Sequence, residues 1–282
     1  MPLALIISSF VAASRIGGVA QQYVLAAHKI DPVLAPTVMF GRSPAKGAQG
    51  EVTTPEVLAR MLGDIEADAL FGLVDLFLTG HFSLPEQVEI AAGVMDRVRT
   101  ANRDGAFAAK PILLVDPIMG DEPKGLYVTP DVAEAVATKL VPLADFITPN
   151  LWELARLTGR EISTAADACA AARSLGVPAL ITSAPARPGE IGLIYVDAAE
   201  AVLFAHPRLP GIPNGTGDLV TAAFGAALVK GLAPPAAAER AARAAAETTR
   251  AVEQWRSPDL PIVALATRVA HPSAQVRSER LE

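Results

Sequence analysis

Short apolar runs alternate with longer stretches of helical period along this chain, and no other feature of the sequence restricts its fold as strongly. The runs Leu3–Ser8, Pro36–Phe40, Asp75–Thr79, Ile112–Asp116, Asp145–Thr148 and Ala179–Thr182 each read as a strand. Gly192–Val196 and Ala201–Ala205 flank the polar Asp197-Ala198-Ala199-Glu200 and read as a hairpin. Helical periodicity covers Gly18–Lys29, Pro55–Ile65, Pro85–Arg103, Pro130–Lys139, Leu151–Leu157, Thr164–Leu175, Leu219–Lys230 and Pro235–Trp255. From Ile112 onward the strands are continuous apolar runs, as required when both faces of a sheet are covered. The alternation therefore predicts an α/β chain with a central, mostly parallel sheet and helices on both faces.

The 282 residues suffice to bury a substantial core, and the expectation is one domain over 1–282 with a polar tail, from about Ser273, that frays. Gly41–Thr53, with three glycines, a proline and no apolar period, reads as a long loop. At 51% hydrophobic and 19% charged residues the composition is that of a globular protein. A net charge of −6 without a basic stripe argues against a nucleic-acid partner. No apolar run reaches the length of a membrane span, and the apolar start at Met1–Ile7 is too short for a secretory signal. These readings predict a cytoplasmic protein. The single cysteine, Cys169, excludes an intrachain disulfide and lies in an alanine-rich segment that predicts a buried thiol.

In doubly covered sheets, ligands gather beyond the carboxyl ends of the strands. Here those ends read Ser8-Ser9, Thr79-Gly80-His81, Asp116-Pro117, Thr148-Pro149-Asn150 and Thr182-Ser183. The strongest local signal follows the hairpin: Asn214-Gly215-Thr216-Gly217-Asp218 runs directly into the helical Leu219–Phe224. Glycines let the backbone turn so that its N–H groups converge on one point, and the helix adds the positive end of its dipole. That arrangement suits a phosphoryl group in transfer, with Asp218 beside it to accept a proton from an attacking hydroxyl. Asp218 read alone fits a helix cap equally well, and Asn150-Leu151-Trp152-Glu153 fits a capping box. A Walker A motif is absent.

The order of these segments is similar to that of the pyridoxal kinases, within the ribokinase-like (PfkB) superfamily of small-molecule kinases. Leu78-Thr79-Gly80, Val115-Asp116-Pro117-Ile118-Met119-Gly120-Asp121, the stretch from Leu140 through Thr148 and Asn150 to Glu153, Leu180-Ile181-Thr182-Ser183 and Gly215-Thr216-Gly217-Asp218 follow one another as they do in that family. The resemblance implies a ribokinase-like fold and ATP-dependent phosphorylation of a hydroxymethyl group, with ATP and Mg²⁺ as cofactors and a homodimer as the assembly. It implies Asp218 as base and Gly215, Thr216 and Gly217 as anion hole. Asn150, Thr182 and Ser183 fall near the nucleotide phosphates, and Asp116 and Glu153 where the metal and its water are handled. Thr148 and Asp116 match a monovalent-cation position, for K⁺ or Na⁺. Ser9, His81 and Asp218 fall on the substrate side.

The substrate half departs from the family. Ser9 is retained, but Phe10 stands where histidine is usual and Gly18 where asparagine is. Phe40-Gly41-Arg42-Ser43-Pro44 replaces a segment whose threonine reaches the substrate, and His81 takes the place of a tyrosine. Two substrates fit this pattern: pyridoxal and its relatives held in a rebuilt pocket, or another hydroxymethyl compound such as hydroxymethylpyrimidine. A nucleotide binder without turnover is the third possibility, against which the intact Gly-Thr-Gly-Asp argues. Phe10, Met39, Phe40 and Phe82 are candidates to wall a flat ring, with core packing as the alternative, and His28 reads as a packing residue.

Overall fold

The computed structural model describes residues 1–281. In chain order its elements are β1 (Leu3–Val11), α1 (Gly18–Ala27), β2 (Asp31–Phe40), β3 (Glu51–Val52), α2 (Pro55–Ala67), β4 (Val74–Thr79), α3 (Pro85–Thr100), β5 (Ile112–Val115), β6 (Gly120–Asp121), β7 (Gly125–Leu126) and α4 (Pro130–Ala135). There follow β8 (Phe146–Ile147), α5 (Leu151–Thr158), α6 (Ala165–Ser174), β9 (Ala179–Ala184), β10 (Glu190–Val196), β11 (Ala201–Pro207), α7 (Thr216–Val229), α8 (Pro234–Trp255), α9 (Ala266–Ala270) and β12 (Arg277–Leu281). All the strands but β6 and β7 join one sheet in the order β12-β11-β10-β9-β8-β5-β4-β1-β2-β3. From β2 to β9 the neighbours are parallel. The strands at both ends are antiparallel. The predicted α/β architecture, with a mostly parallel central sheet covered by helices on both faces, is the observed one.

Strand pleat divides the core in two. On β1, Ala4 and Ile6 point to the face covered by α1, α7, α8 and α9, while Leu5 and Ile7 point to the face covered by α2 to α6. The first face is packed with small residues, among them Ala222, Ala223, Ala226, Ala237, Ala241 and Ala245. That composition lets helices approach closely: a methyl placed on Gly225 of α7 would lie 2.9 Å from Leu76 of β4. Almost every residue of α7 is buried as a result, from Asp218 through Val229. Proline opens α2, α3, α4 and α8, where the missing N–H would have had no partner anyway.

Two expectations need correction. The tail does not fray, because Arg277–Leu281 pairs antiparallel with Ala201–Ala205 and closes the sheet. Its Arg277 bonds Glu190 on β10 at 2.6 Å. An edge strand in solvent needs no apolar face, so the segment carries no hydrophobic pattern. The stretch Gly41–Thr53 is also more ordered than a bare loop, since Glu51–Val52 adds to β2 as the opposite edge. The helix predicted over Pro130–Lys139 starts as expected but widens into a π-helical turn at Val136–Leu140. Cys169 is buried, as its surroundings imply.

Candidate active site

The carboxyl ends of the parallel strands open into one cleft of about 1500 Å³. Ser9, His81, Asp116, Thr148, Asn150, Glu153, Thr182, Ser183, Gly215, Thr216, Gly217 and Asp218 all line it. Residues far apart in sequence thus converge as the topology requires.

At its centre is the turn into α7. Gly215 has φ 107°, and a Cβ there would sit 2.2 Å from the carbonyl oxygen of Arg15, so glycine is required on both counts. The space a Cβ would take at Gly217 is empty for 4 Å around, which leaves its backbone open to the cleft. No side chain caps this helix. Asp218 instead reaches across to the β1–α1 connection, where its Oδ2 accepts the N–H of Gly17 at 2.9 Å. Its Oδ1 is buried without a partner, as is Thr216 Oγ1. Buried polar atoms left unpaired at the mouth of a helix mark a place for a ligand. Burial pushes the Asp218 carboxyl up to about 6, against hydrogen bonds that favour its charge. Asp218 is thus not the cap residue of α7, a position held by Gly215, and its carboxylate reaches across to Gly17 instead.

Asp116 directly follows β5 and is buried, as Asp218 is. Desolvation and the neighbouring Glu153 and Asp218 carboxylates hold its pKa well above the ordinary range, against the hydroxyls of Thr221 and Thr148. Thr221 Oγ1 donates to Asp116 Oδ2 at 2.9 Å, and the Thr148 hydroxyl lies 2.8 Å from Thr221 Oγ1. Thr148 also reaches Asp116, and each threonine has one hydrogen to give, so either hydroxyl can be the donor in that second contact. The capping box over Asn150 and Glu153 is formed in both directions, at 2.8 and 2.9 Å. Glu153 Oε1 also accepts the N–H of Met119 at 2.9 Å. Burial still raises the Glu153 carboxyl to about 7. Asn150 uses Nδ2 to hold Gly120 O at 2.8 Å.

Asp121, the last residue of the Val115–Asp121 stretch, belongs to this group. It sits on the β6–β7 hairpin, raises Glu153 by repulsion and keeps Oδ1 buried and unpaired. Asp121, Glu153, Asp116 and Asp218 form a series of carboxylates, each within electrostatic reach of the next. Among the described residues no ion pair reaches Glu153, Asp116 or Asp218, and no three ligating side chains form a ready-made metal cage. That donor set fits a hydrated hard cation brought in with a polyphosphate, for which spaced carboxylates acting partly through water suffice.

Ser183 is in the left-handed region at φ 54°, unusual for a non-glycine residue within a strand. Here β9 bulges against β10, with the register slipping between Gly192 and Ile194. Thr182 is tied back to Pro149 O at 2.9 Å. On the far side, Ser9 packs on Gly17, whose Cβ would fall 2.2 Å from Ser9 Oγ, so Ser9 and Asp218 meet at that glycine. His81 lies partly open to the cleft, with Nε2 3.4 Å from Ser83 Oγ. Burial holds its imidazole down at about 4, hence neutral at pH 7. Of the aromatic candidates only Phe40 lines the cleft; Phe82 is core, and Phe10 and Met39 are exposed side by side on β1 and β2.

Known proteins resemble this chain in sequence and in fold. The phosphomethylpyrimidine kinase family model matches residues 91–259. A pyridoxine/pyridoxal/pyridoxamine kinase of Bordetella avium is 33% identical over 245 residues, covering 84% of this chain and 81% of that protein. A pyridoxal kinase of Deinococcus radiodurans is 34% identical over 232 residues, covering 77% and 76%. Among solved structures, pyridoxal kinase from Leishmania donovani in complex with ADP and pyridoxine superposes with a TM-score of 0.90 over 99% of both chains at 22% identity. Pyridoxal kinase from Entamoeba histolytica gives 0.87 over the whole of both chains, also at 22%. The two structures establish the shared fold, and the curated relatives carry the assignment: this chain belongs to the pyridoxal kinase family of ribokinase-like small-molecule kinases.

Proposed function

We propose that this protein is an ATP-dependent pyridoxal kinase, moving the γ-phosphoryl group of ATP to the 5′-hydroxymethyl group of pyridoxal, pyridoxine or pyridoxamine. The observation that carries this reading is Asp218. It is buried, anchored through one oxygen, unpaired at the other and set beside an uncapped helix N-terminus. A primary alcohol is a weak nucleophile at neutral pH, so the protein must align it and take its proton. Asp218 Oδ1 is the acceptor for that proton, and with a pKa of about 6 the carboxyl is largely ionised at pH 7 yet basic enough to hold the proton transiently. The backbone N–H groups of Gly215, Thr216 and Gly217 then stabilise charge on the oxygens of the group in transfer.

Asn150, Thr182 and Ser183 flank the phosphates, and Ser9 and His81 flank the acceptor. Asp116, Asp121 and Glu153 would hold Mg²⁺, which when bound neutralises phosphate charge. The pair Thr148 and Asp116 would take a monovalent cation. Pyridoxal-type substrates are favoured by the identity with the curated relatives. The family model bears the phosphomethylpyrimidine name, which keeps hydroxymethylpyrimidine as the second acceptor to try. One domain acting as a cytoplasmic homodimer completes the proposal. Among the described residues, no helix is long and apolar enough to cross a membrane.

The test is ADP release with MgATP and each of pyridoxal, pyridoxine, pyridoxamine and hydroxymethylpyrimidine. Saturable turnover with a B6 vitamer, and weaker turnover with the pyrimidine, is expected. Turnover with the pyrimidine alone would reassign the substrate, and turnover with none would refute the kinase reading.

A further inference from the structure

His206 is a buried, titratable cleft residue that the phosphoryl-transfer chemistry does not use. It lies near the end of β11, opposite Ile191 of β10. It shares a face with Phe204, two residues earlier, and that face is the one covered by α7 and α8. Leu193, Ile212, Val220 and Ala245 give the same cleft apolar lining, and Glu190, paired with Pro207, is the carboxylate within electrostatic reach of His206 and is itself bonded by Arg277. Thr249 of α8, also in the cleft lining, turns its hydroxyl back to Ala245 O at 2.9 Å. A flat, largely apolar heterocycle fits such a slot. Ser183, beside the proposed phosphate site, is two strands away, or about 10 Å at ordinary strand spacing.

The polar atom in this wall has a defined character. His206 Nδ1 lies 3.1 Å from Pro207 O, and because a carbonyl oxygen can only accept, Nδ1 carries the hydrogen. Burial keeps the imidazole below its ordinary pKa, so the ring is neutral at pH 7. Nε2 is then a lone-pair acceptor. It has no partner among the described residues and is not sealed from solvent, so it looks into the cleft.

Resting on the reading that this cleft holds ATP, we propose that His206 Nε2 accepts a hydrogen bond from the 6-amino group of the adenine and so determines which nucleotide is used. A 6-oxo purine presents an acceptor at the same position and would set two lone pairs against each other. Specificity of this kind follows from leaving a buried polar group unpaired with the wrong ligand.

Calorimetric titration with MgATP and MgITP, without acceptor, tests this. The native protein is expected to bind ATP about tenfold tighter than ITP. His206→Ala should bring the two affinities to within about twofold of each other, and His206→Gln, which keeps an acceptor oxygen, should restore part of the difference. In steady state the loss should fall on the KM for ATP and leave kcat alone. An ATP:ITP ratio unchanged in His206→Ala, with the variant folded by its melting temperature, overturns the proposal. So does a variant that loses discrimination between ATP and 2′-deoxy-ATP instead, since the donor would then be the sugar hydroxyl. A native protein that binds neither nucleotide refutes the kinase reading itself, a result distinct from binding both equally.

Discussion

Replacing Asp218 with asparagine should stop turnover and at the same time stabilise the protein. The carboxyl stands at about 6 in the fold against an ordinary 3.8, because burial disfavours its charge. A carboxyl raised in this way binds protons more tightly in the native state than in the unfolded chain. Its effect on stability is therefore nil below about pH 4, becomes unfavourable as pH rises toward 6, and is constant above that. The interval between 3.8 and about 6 amounts to about 3 kcal/mol against the fold at pH 7. Asparagine carries no charge and removes that term. The weaker bond that a neutral acceptor offers the Gly17 N–H is already contained in that shift, so the net is about 3 kcal/mol of stabilisation at pH 7, which for a chain of this size raises Tm by about 5 °C. Near pH 4 the native carboxyl is itself protonated, so the difference should fade toward nil. Thermal unfolding of both proteins by circular dichroism from pH 4 to pH 8 reads this directly. Turnover should fall by roughly 10²-fold or more, with ATP affinity little altered. A Tm difference that is flat with pH would refute the buried, raised carboxyl, and a variant that folds and turns over normally would refute the base.

In the native protein kcat/KM should climb with pH through about 6 as Asp218 loses its proton, and a rate independent of pH from 5 to 8 would contradict that role. Glu153→Gln leaves one of the N–H groups of Asn150 and Met119 facing an amide NH₂, so a stability loss of about 1–3 kcal/mol is expected in urea titrations. The same variant should need more Mg²⁺ for half-maximal rate; an unchanged Mg²⁺ requirement would limit Glu153 to holding the helix. Thr221→Val strips Asp116 of a donor and Thr148 of a hydrogen-bond partner, and should lower stability by about 1–3 kcal/mol and slow turnover, whereas an unaltered Tm would mean that water substitutes for the hydroxyl. Gly215→Ala combines a left-handed backbone with a contact against Arg15 O and should lose at least about 2 kcal/mol together with activity; a soluble, active variant would show that the turn can relax.

Most of the frame was legible because its signals are local. Prolines at Pro55, Pro85 and Pro130 mark helix starts, since the first helical residue is the one place in a helix where a missing N–H does no harm. The polar strand ends at Asp116, Thr148 and Thr182 are conspicuous against apolar strands, and the topology then gathers them. Signals that depend on tertiary placement were not legible. Thr221 reads as one more helical residue until α7 is set against β5 and β8, where it bridges Asp116 and Thr148. Gly17 shows no sign in sequence that its N–H anchors a carboxylate 201 residues away. That Asp121 stands within reach of Glu153 is hidden as well, because a two-residue hairpin has no period to betray it. Asp218 remained ambiguous between cap and base, as a carboxylate after a glycine turn serves for either until its partner is known.

The strand formed by the polar tail has a bearing on how molecules of this protein meet. A strand at the end of a sheet offers a row of unpaired N–H and C=O groups, a template on which a neighbouring molecule can add its own strand. β11 would be a dangerous template, with Ala201, Val202, Leu203, Phe204 and Ala205 all apolar and flat. β12 covers it with Arg277, Ser278, Glu279 and Arg280, charged or polar residues whose addition to a foreign sheet would strand like charges against apolar surface. The other end is closed by the two residues of β3, too short to nucleate pairing. The ten-stranded sheet is thereby kept from growing between molecules, a safeguard against aggregation lodged in its least hydrophobic strand.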